Sequence, residues 1–145
     1  MGIFTSAGST IAISATLPGA ETSGSYGGLS WTVIGSITDL GSFGKTYNEV
    51  SFTPLASRAK QKFKGSYDNG TLALKLAKDK SDAGQVIALA ALASDNAYAF
   101  KVVLQDGTIE YFSGRVMSYA IQVGSVDQMT GADVNIGIST NIIEV

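Results

Sequence analysis

Hydrophobic residues recur at every second position through much of the chain after Leu29, and alternation of this kind marks half-buried strands. "TLALKL" sets Leu72, Leu74 and Leu76 against Ala73 and Lys75. "ADVNIGIS" likewise sets Val134, Ile136 and Ile138 against Asn135, Gly137 and Ser139. "LSWTVIG", "AYAFKVV", "RVMSYAIQV" and the closing "NIIEV" continue the β-like character, and "TIAISA" predicts one more strand over Thr10–Ala15. Asn69-Gly70 and Asp106-Gly107 each separate two such runs and predict tight hairpins of type I′, whose central residues need positive φ.

One window has a different period. "SDAGQVIALAALASDN" predicts a helix over about 82–94, with Asp82 as N-cap and Gln85 three residues on, a capping-box variant. Val86, Ile87, Leu89, Ala90, Leu92 and Ala93 form its apolar stripe, expected to pack on a sheet. Residues 1–28 read as a partly irregular N-terminal arm that orders on assembly, with "PGAETSGSYGG" as loop. Antiparallel strands with one amphipathic helix predict a mainly β fold, a β-sandwich or barrel with that helix on its flank. At 145 residues this is one domain, 1–145.

Composition narrows the function. There is no cysteine, hence no disulfide, thiolate metal site or Cys nucleophile, and no histidine, the commonest general base and zinc ligand. No cofactor or metal site is expected, and no catalytic role. Asp79 and Asp82, or Asp106 and Glu110, are the nearest acid pairs; Asp82 suits the helix N-terminus and the second pair a water-facing turn. Gly44-Lys45-Thr46 echoes the end of a phosphate-binding loop, but Asp39 stands where its first glycine belongs. No apolar run is long enough to span a membrane, and the N-terminus lacks secretory-signal features. "MGIFTS" matches the loose N-myristoylation pattern through Gly2 and Ser6. A net charge of −2 disfavours a general DNA binder.

Against that acidic balance, "RAKQKFKG" places Arg58, Lys60, Lys62 and Lys64 at alternate positions, on one face of a strand. The preceding "SFTPLAS" lacks a tight-turn signal and presents Phe52 and Leu55 around Pro54. Together they predict a long assembly hairpin over about 44–65, with an apolar tip that a small domain cannot bury. Three readings follow from the residues alone. The basic strand is a solvated edge, or the polyanion site of a monomeric β-barrel module that binds nucleic acid through Arg58–Lys64, or a subunit interface whose cations meet a neighbour's carboxylates.

The stretch from "WTVIGSITDLGSFGKTYNEVSFTPLASRAKQKFKGSYDNGTLALKL" through the alanine-rich helix, "YAFKVVLQDGT", "VMSYAIQVGSVD" and "NIIEV" resembles the tail tube proteins of long-tailed, lambda-like bacteriophages. The resemblance covers roughly Leu29–Val145 and lies in the order of elements. It implies a virion protein, assembled in the host cytoplasm, that stacks as hexameric rings into a tube. It also implies that a long loop, matching about Tyr47–Phe63, mediates subunit and ring contacts. Phe52, Pro54, Leu55, Arg58, Lys60, Lys62 and Lys64 are then interface residues. Tape measure and tail-end proteins are implied partners, and DNA passes through an acidic lumen without specific binding. Asp39, Glu49 and Asp68 are candidate lumen acids.

Overall fold

The structure, a computed structural model, describes residues 7–145; the Gly2–Ser6 pattern lies outside the described residues. Among the described residues, ten strands and two helices follow one another. β1 (Thr10–Ser14), β2 (Thr32–Ile34), β3 (Ile37–Asp39), β6 (Thr71–Ala77), β7 (Tyr98–Val103), β8 (Ile109–Gln122), β9 (Gly131–Ile138) and β10 (Ile143–Glu144) form one sheet. Its order is β2-β1-β7-β8-β9-β6-β3, with β10 also on β8. β4 (Thr46–Phe52) and β5 (Gln61–Asp68) pair only with each other, in a separate ribbon.

The 14-residue β8 organises the sheet. Its first half pairs with β7, from Val103↔Ile109 to Tyr98↔Gly114, and its second half pairs with β9, from Gly114↔Ile138 to Gln122↔Gly131. A Cβ on Gly114 would run into the Gly137 carbonyl, so this crossing point tolerates only glycine. The two halves face each other across one core. Ile11, Ile13, Phe100, Val102 and Phe112 come from one side, Leu72, Leu74, Leu76, Val134 and Ile136 from the other. The alternation of "TLALKL" and "ADVNIGIS" puts those side chains inward, as the sequence predicts.

The first half of the sheet is covered on its outer face too. α1 (Ser23–Gly27), capped by Thr22, brings in Tyr26, which is fully buried. Its ring stacks on Tyr111 at 5.2 Å and its hydroxyl lies 2.9 Å from Ser113 Oγ. The strand expected over Thr10–Ala15 forms as β1, paired on both edges, while the stretch expected as loop folds a helical turn around one anchoring tyrosine.

Two local expectations change. Asp106-Gly107 does close the β7–β8 hairpin, with Leu104 N donating to Thr108 O at 2.8 Å, but not as type I′, because only Gly107 of the two has positive φ, at 94°. Asn69-Gly70, however, is not a hairpin turn. β5 pairs with β4, β6 with β9 and β3, and only Gly70 of the two has positive φ, at 95°. The chain there leaves the ribbon and enters the sheet. A turn signature specifies a local bend, whereas strand partners are chosen by burial.

α2 (Ala83–Ala93) forms where the period predicts it, and Asp82 Oδ2 accepts from Gln85 N at 3.0 Å. The face it buries is not the predicted stripe. Gly84, Gln85, Ala88 and Ala91 are buried, while Val86, Leu89 and Leu92 are exposed. The reason is distance: at Gly84 the helix comes so close to Val33 and Ile34 that a Cβ would strike their backbone. Small side chains let it approach; large ones do not fit between. Gln85 then acts as a buried clip and not as the second half of a capping box. Its Nε2 donates to Gly35 O (3.1 Å) and Ala77 O (3.0 Å), and its Oε1 accepts from Asp79 N (2.9 Å). Gln85→Ala strands those groups and is expected to cost about 2–3 kcal/mol, a melting midpoint several degrees lower. Leu89→Ala, on the predicted stripe, is expected to stay within about 0.5 kcal/mol of the wild type. Thermal melts of the two variants check both.

Candidate assembly surface

The ribbon stands apart because, among the described residues, its two strands pack broadly only on each other. Every residue of β4 is exposed, and so is every residue of β5 except Gly65. The register pairs Phe52↔Gln61, Ser51↔Lys62, Val50↔Phe63 and Glu49↔Lys64, with a bulge between Tyr47 and Glu49. Val50, Phe52 and Phe63 consequently share one face, each about half exposed. The Phe52 and Phe63 rings stack at 5.7 Å, and Leu55 at the tip is fully exposed. An isolated two-stranded ribbon is marginal in water, so an apolar ribbon of this kind calls for a covering surface.

The predicted row of four cations is only half realised. Lys62 and Lys64 lie in β5, but the strand begins at Gln61, and Arg58 and Lys60 belong to the tip. Arg58 adopts φ 59°, and its backbone N donates to Pro54 O at 3.1 Å, closing the turn around Pro54 and Leu55. Lys62 Nζ lies 3.8 Å from Glu49 Oε1. Lys64 Nζ sits 4.8 Å from the centre of the Tyr47 ring, and Lys45 Nζ 4.3 Å from that of Tyr67, contacts that hold cations on aromatic faces. Residues 44–65 carry five cations and one acid, a formal +4, which leaves five cations and eleven acids, −6, for the rest of the chain. Val50 and Lys45 also belong to this surface, beyond Phe52, Pro54, Leu55 and the basic row that the sequence singles out; reading "YNEVSF" at period two would have found Val50.

The three candidate lumen acids are spread over three strands. Glu49 is engaged with Lys62. Asp39 Oδ1 accepts from Gly41 N at 2.8 Å, and Asp68 Oδ1 from Gly70 N at 2.9 Å, both as turn-forming carboxylates. The acid pairs weighed for catalysis also resolve into structural roles. Asp79 accepts from Ser81 and Asp106 from Thr108, and these bonds hold both carboxyls below the ordinary range. Among the described residues no cluster of acids is arranged to hold a metal ion.

Glu110 does not face water as expected. It sits directly opposite Glu144 where β10 docks on β8, and Val145 N donates to Ile109 O at 2.8 Å beside it. Partial burial, then the hydrogen bond and repulsion from the Glu144 carboxylate, push its carboxyl up to about 7.

No family profile and no curated protein matches this sequence. Solved structures do match in shape. A chain of the anti-feeding prophage (AFP) baseplate, a 6-fold symmetrised cryo-EM structure, superposes with TM-score 0.70 at 7% identity, over 94% of this chain and 91% of that one. A chain of the SPP1 tail tube gives 0.63 at 12% identity, over 94% and 75%. A chain of the PVC extracellular contractile injection system, from its sheath/tube terminator in the extended state, gives 0.63 at 8%, over 94% and 92%. The chain therefore has the fold found in a phage tail tube and in contractile injection systems, as the resemblance implied.

A carboxyl whose folded pKa is raised binds a proton that the unfolded chain has already released. Its stabilising effect is complete below the unfolded value near 4.5 and is lost as pH rises through about 7. With no histidine to titrate in the same window, the melting midpoint is expected to fall between pH 5 and pH 8, and Glu110→Gln to flatten that slope. Melts across the range test it; an unchanged slope in the variant would refute the assignment.

Proposed function

We propose that this chain is a structural subunit of a tail tube, associating with copies of itself as stacked hexameric rings that form a conduit for DNA into a host cell. The observation that carries this reading is the ribbon: an exposed aromatic face and a +4 charge on an arm that leaves a −6 body, in a fold shared with a solved tail tube. A second copy offers this arm both apolar cover and opposite charge, and strand pairing along the ribbon edges adds backbone hydrogen bonds. Phe52, Pro54, Leu55, Arg58, Lys60, Lys62 and Lys64 are the interface residues of this reading.

The acidic body suits a passage for DNA, because like charge keeps a polyanion moving and not bound. Asp39 and Asp68 are assigned to the lumen wall; Glu49 contributes less, being offset by Lys62. The protein then works in the virion tail after assembly in the host cytoplasm, with tape measure and tail-end proteins at the tube's ends.

The test is direct. Purified protein viewed by negative-stain microscopy is expected to show rings or hollow tubes. Replacing Lys60, Lys62 and Lys64 together by Glu is expected to abolish them while leaving a circular dichroism spectrum and melt like the wild type's. A wild type that stays monomeric and binds DNA tightly, with affinity falling steeply as salt rises, overturns the proposal in favour of a polyanion-binding module.

A further inference from the structure

The ribbon needs a seat, and the body offers one at the far end of β8. The connection between β8 and β9 carries Val123, Val126 and Met129, all strongly exposed, with Ile121 just before it; Val126 is 96% exposed and Met129 80%. Its shape is set locally. Gln128 N donates to Ser125 O at 3.1 Å, Ser125 N donates to Gln128 Oε1 at 3.2 Å, and Gly124 takes φ 67°. These large apolar side chains are thus held out on an ordered turn.

Its charge is the opposite of the ribbon's. From Val116 to Val145 the chain has no Lys or Arg, and the acids there are Asp127, Asp133 and Glu144. Beside the turn runs a groove of about 450 Å³, with Met129 as its exposed apolar side chain and Gln122 and Asp133 among its polar lining. Asp133 is held by Gln122, whose Nε2 donates to it at 3.2 Å. Lys75 also lines the groove, between Asp39 and Asp133 in the cross-strand row, so that row carries a net negative charge. The exposed apolar residues of α2 lie on a helix uncharged from Ala83 to Ala93, and the acid beside them, Asp79, is flanked by Lys78 and Lys80.

We propose that this acidic turn and its groove are the docking seat for the β4–β5 ribbon tip of a second copy of this chain. Leu55 and Phe52 pack on Met129 and Val126 beside the groove, and Arg58 and Lys60 meet Asp127 and Asp133. The contact is head-to-tail, made of two different patches, so a joined pair keeps one free ribbon and one free seat and the assembly continues or closes into a ring. This rests on the self-association proposed above and adds where the arm binds.

The chain has no cysteine, which permits a clean cross-link test. Leu55→Cys and Met129→Cys placed in one full-length chain are expected to give, on mild oxidation, a ladder of trimers and larger species on a non-reducing gel. Either substitution alone is expected to stop at dimers. Asp127→Lys with Asp133→Lys is expected to raise the concentration for half-assembly about tenfold or more in sedimentation, and adding Arg58→Glu with Lys60→Glu to restore it. If the wild type forms rings but the double-cysteine chain yields only monomers and dimers, the seat lies elsewhere and self-association stands. A reversal without effect on assembly has the same meaning. A wild type that never self-associates overturns both proposals.

Discussion

One strand, shared between two partners, holds this protein together. β8 pairs with β7 up to Gly114 and with β9 beyond it, and the change of partner depends on a residue without a side chain where the Gly137 carbonyl comes close. Because each half carries its own alternating set of inward side chains, one strand closes a core that two separate sheets would need extra connections to enclose. Phe112 before the crossing and Val116 after it belong to the same buried cluster. Removing the continuity of β8 would separate the layers, and everything attached to them depends on that continuity.

The body being closed explains why the ribbon is open. β3 and β6 on one side and β1 and β2 on the other already bury the core, and α2 seals it with a face of glycine, glutamine and alanine. Val50, Phe52, Phe63 and Leu55 are not part of that buried cluster. The ribbon is thus left outside by a core that is complete without it, and its cations stand apart from the body's acids. Charge separation within one chain favours contact between unlike patches of two copies, because like patches repel.

Much of this was legible beforehand because strands report their burial through a period of two. Leu72, Leu74 and Leu76, or Val134, Ile136 and Ile138, face the core as their spacing implies. The helix was legible in position but not in orientation. Its sequence is apolar nearly all round, so the period carries little information about which side faces in, and the close approach at Gly84 decides in favour of the small residues. The ribbon was legible as a long exposed hairpin. The row of four cations was not a row, because Arg58 turns the chain with a positive φ that alternation alone does not reveal.

Local chemistry therefore determined the strand and helix positions, the Asp106-Gly107 hairpin, the absence of a histidine or cysteine site, and the existence of an unburied basic arm. Only the tertiary structure decided which strands pair, that Asn69-Gly70 is a passage between sheets and not a hairpin, that Tyr26 anchors the early segment, and that Glu110 meets Glu144. The division has a physical cause. Period, caps and turns are set by neighbours along the chain, whereas pairing, close approach and the shift of a carboxyl's pKa arise from groups that come together only when the core closes.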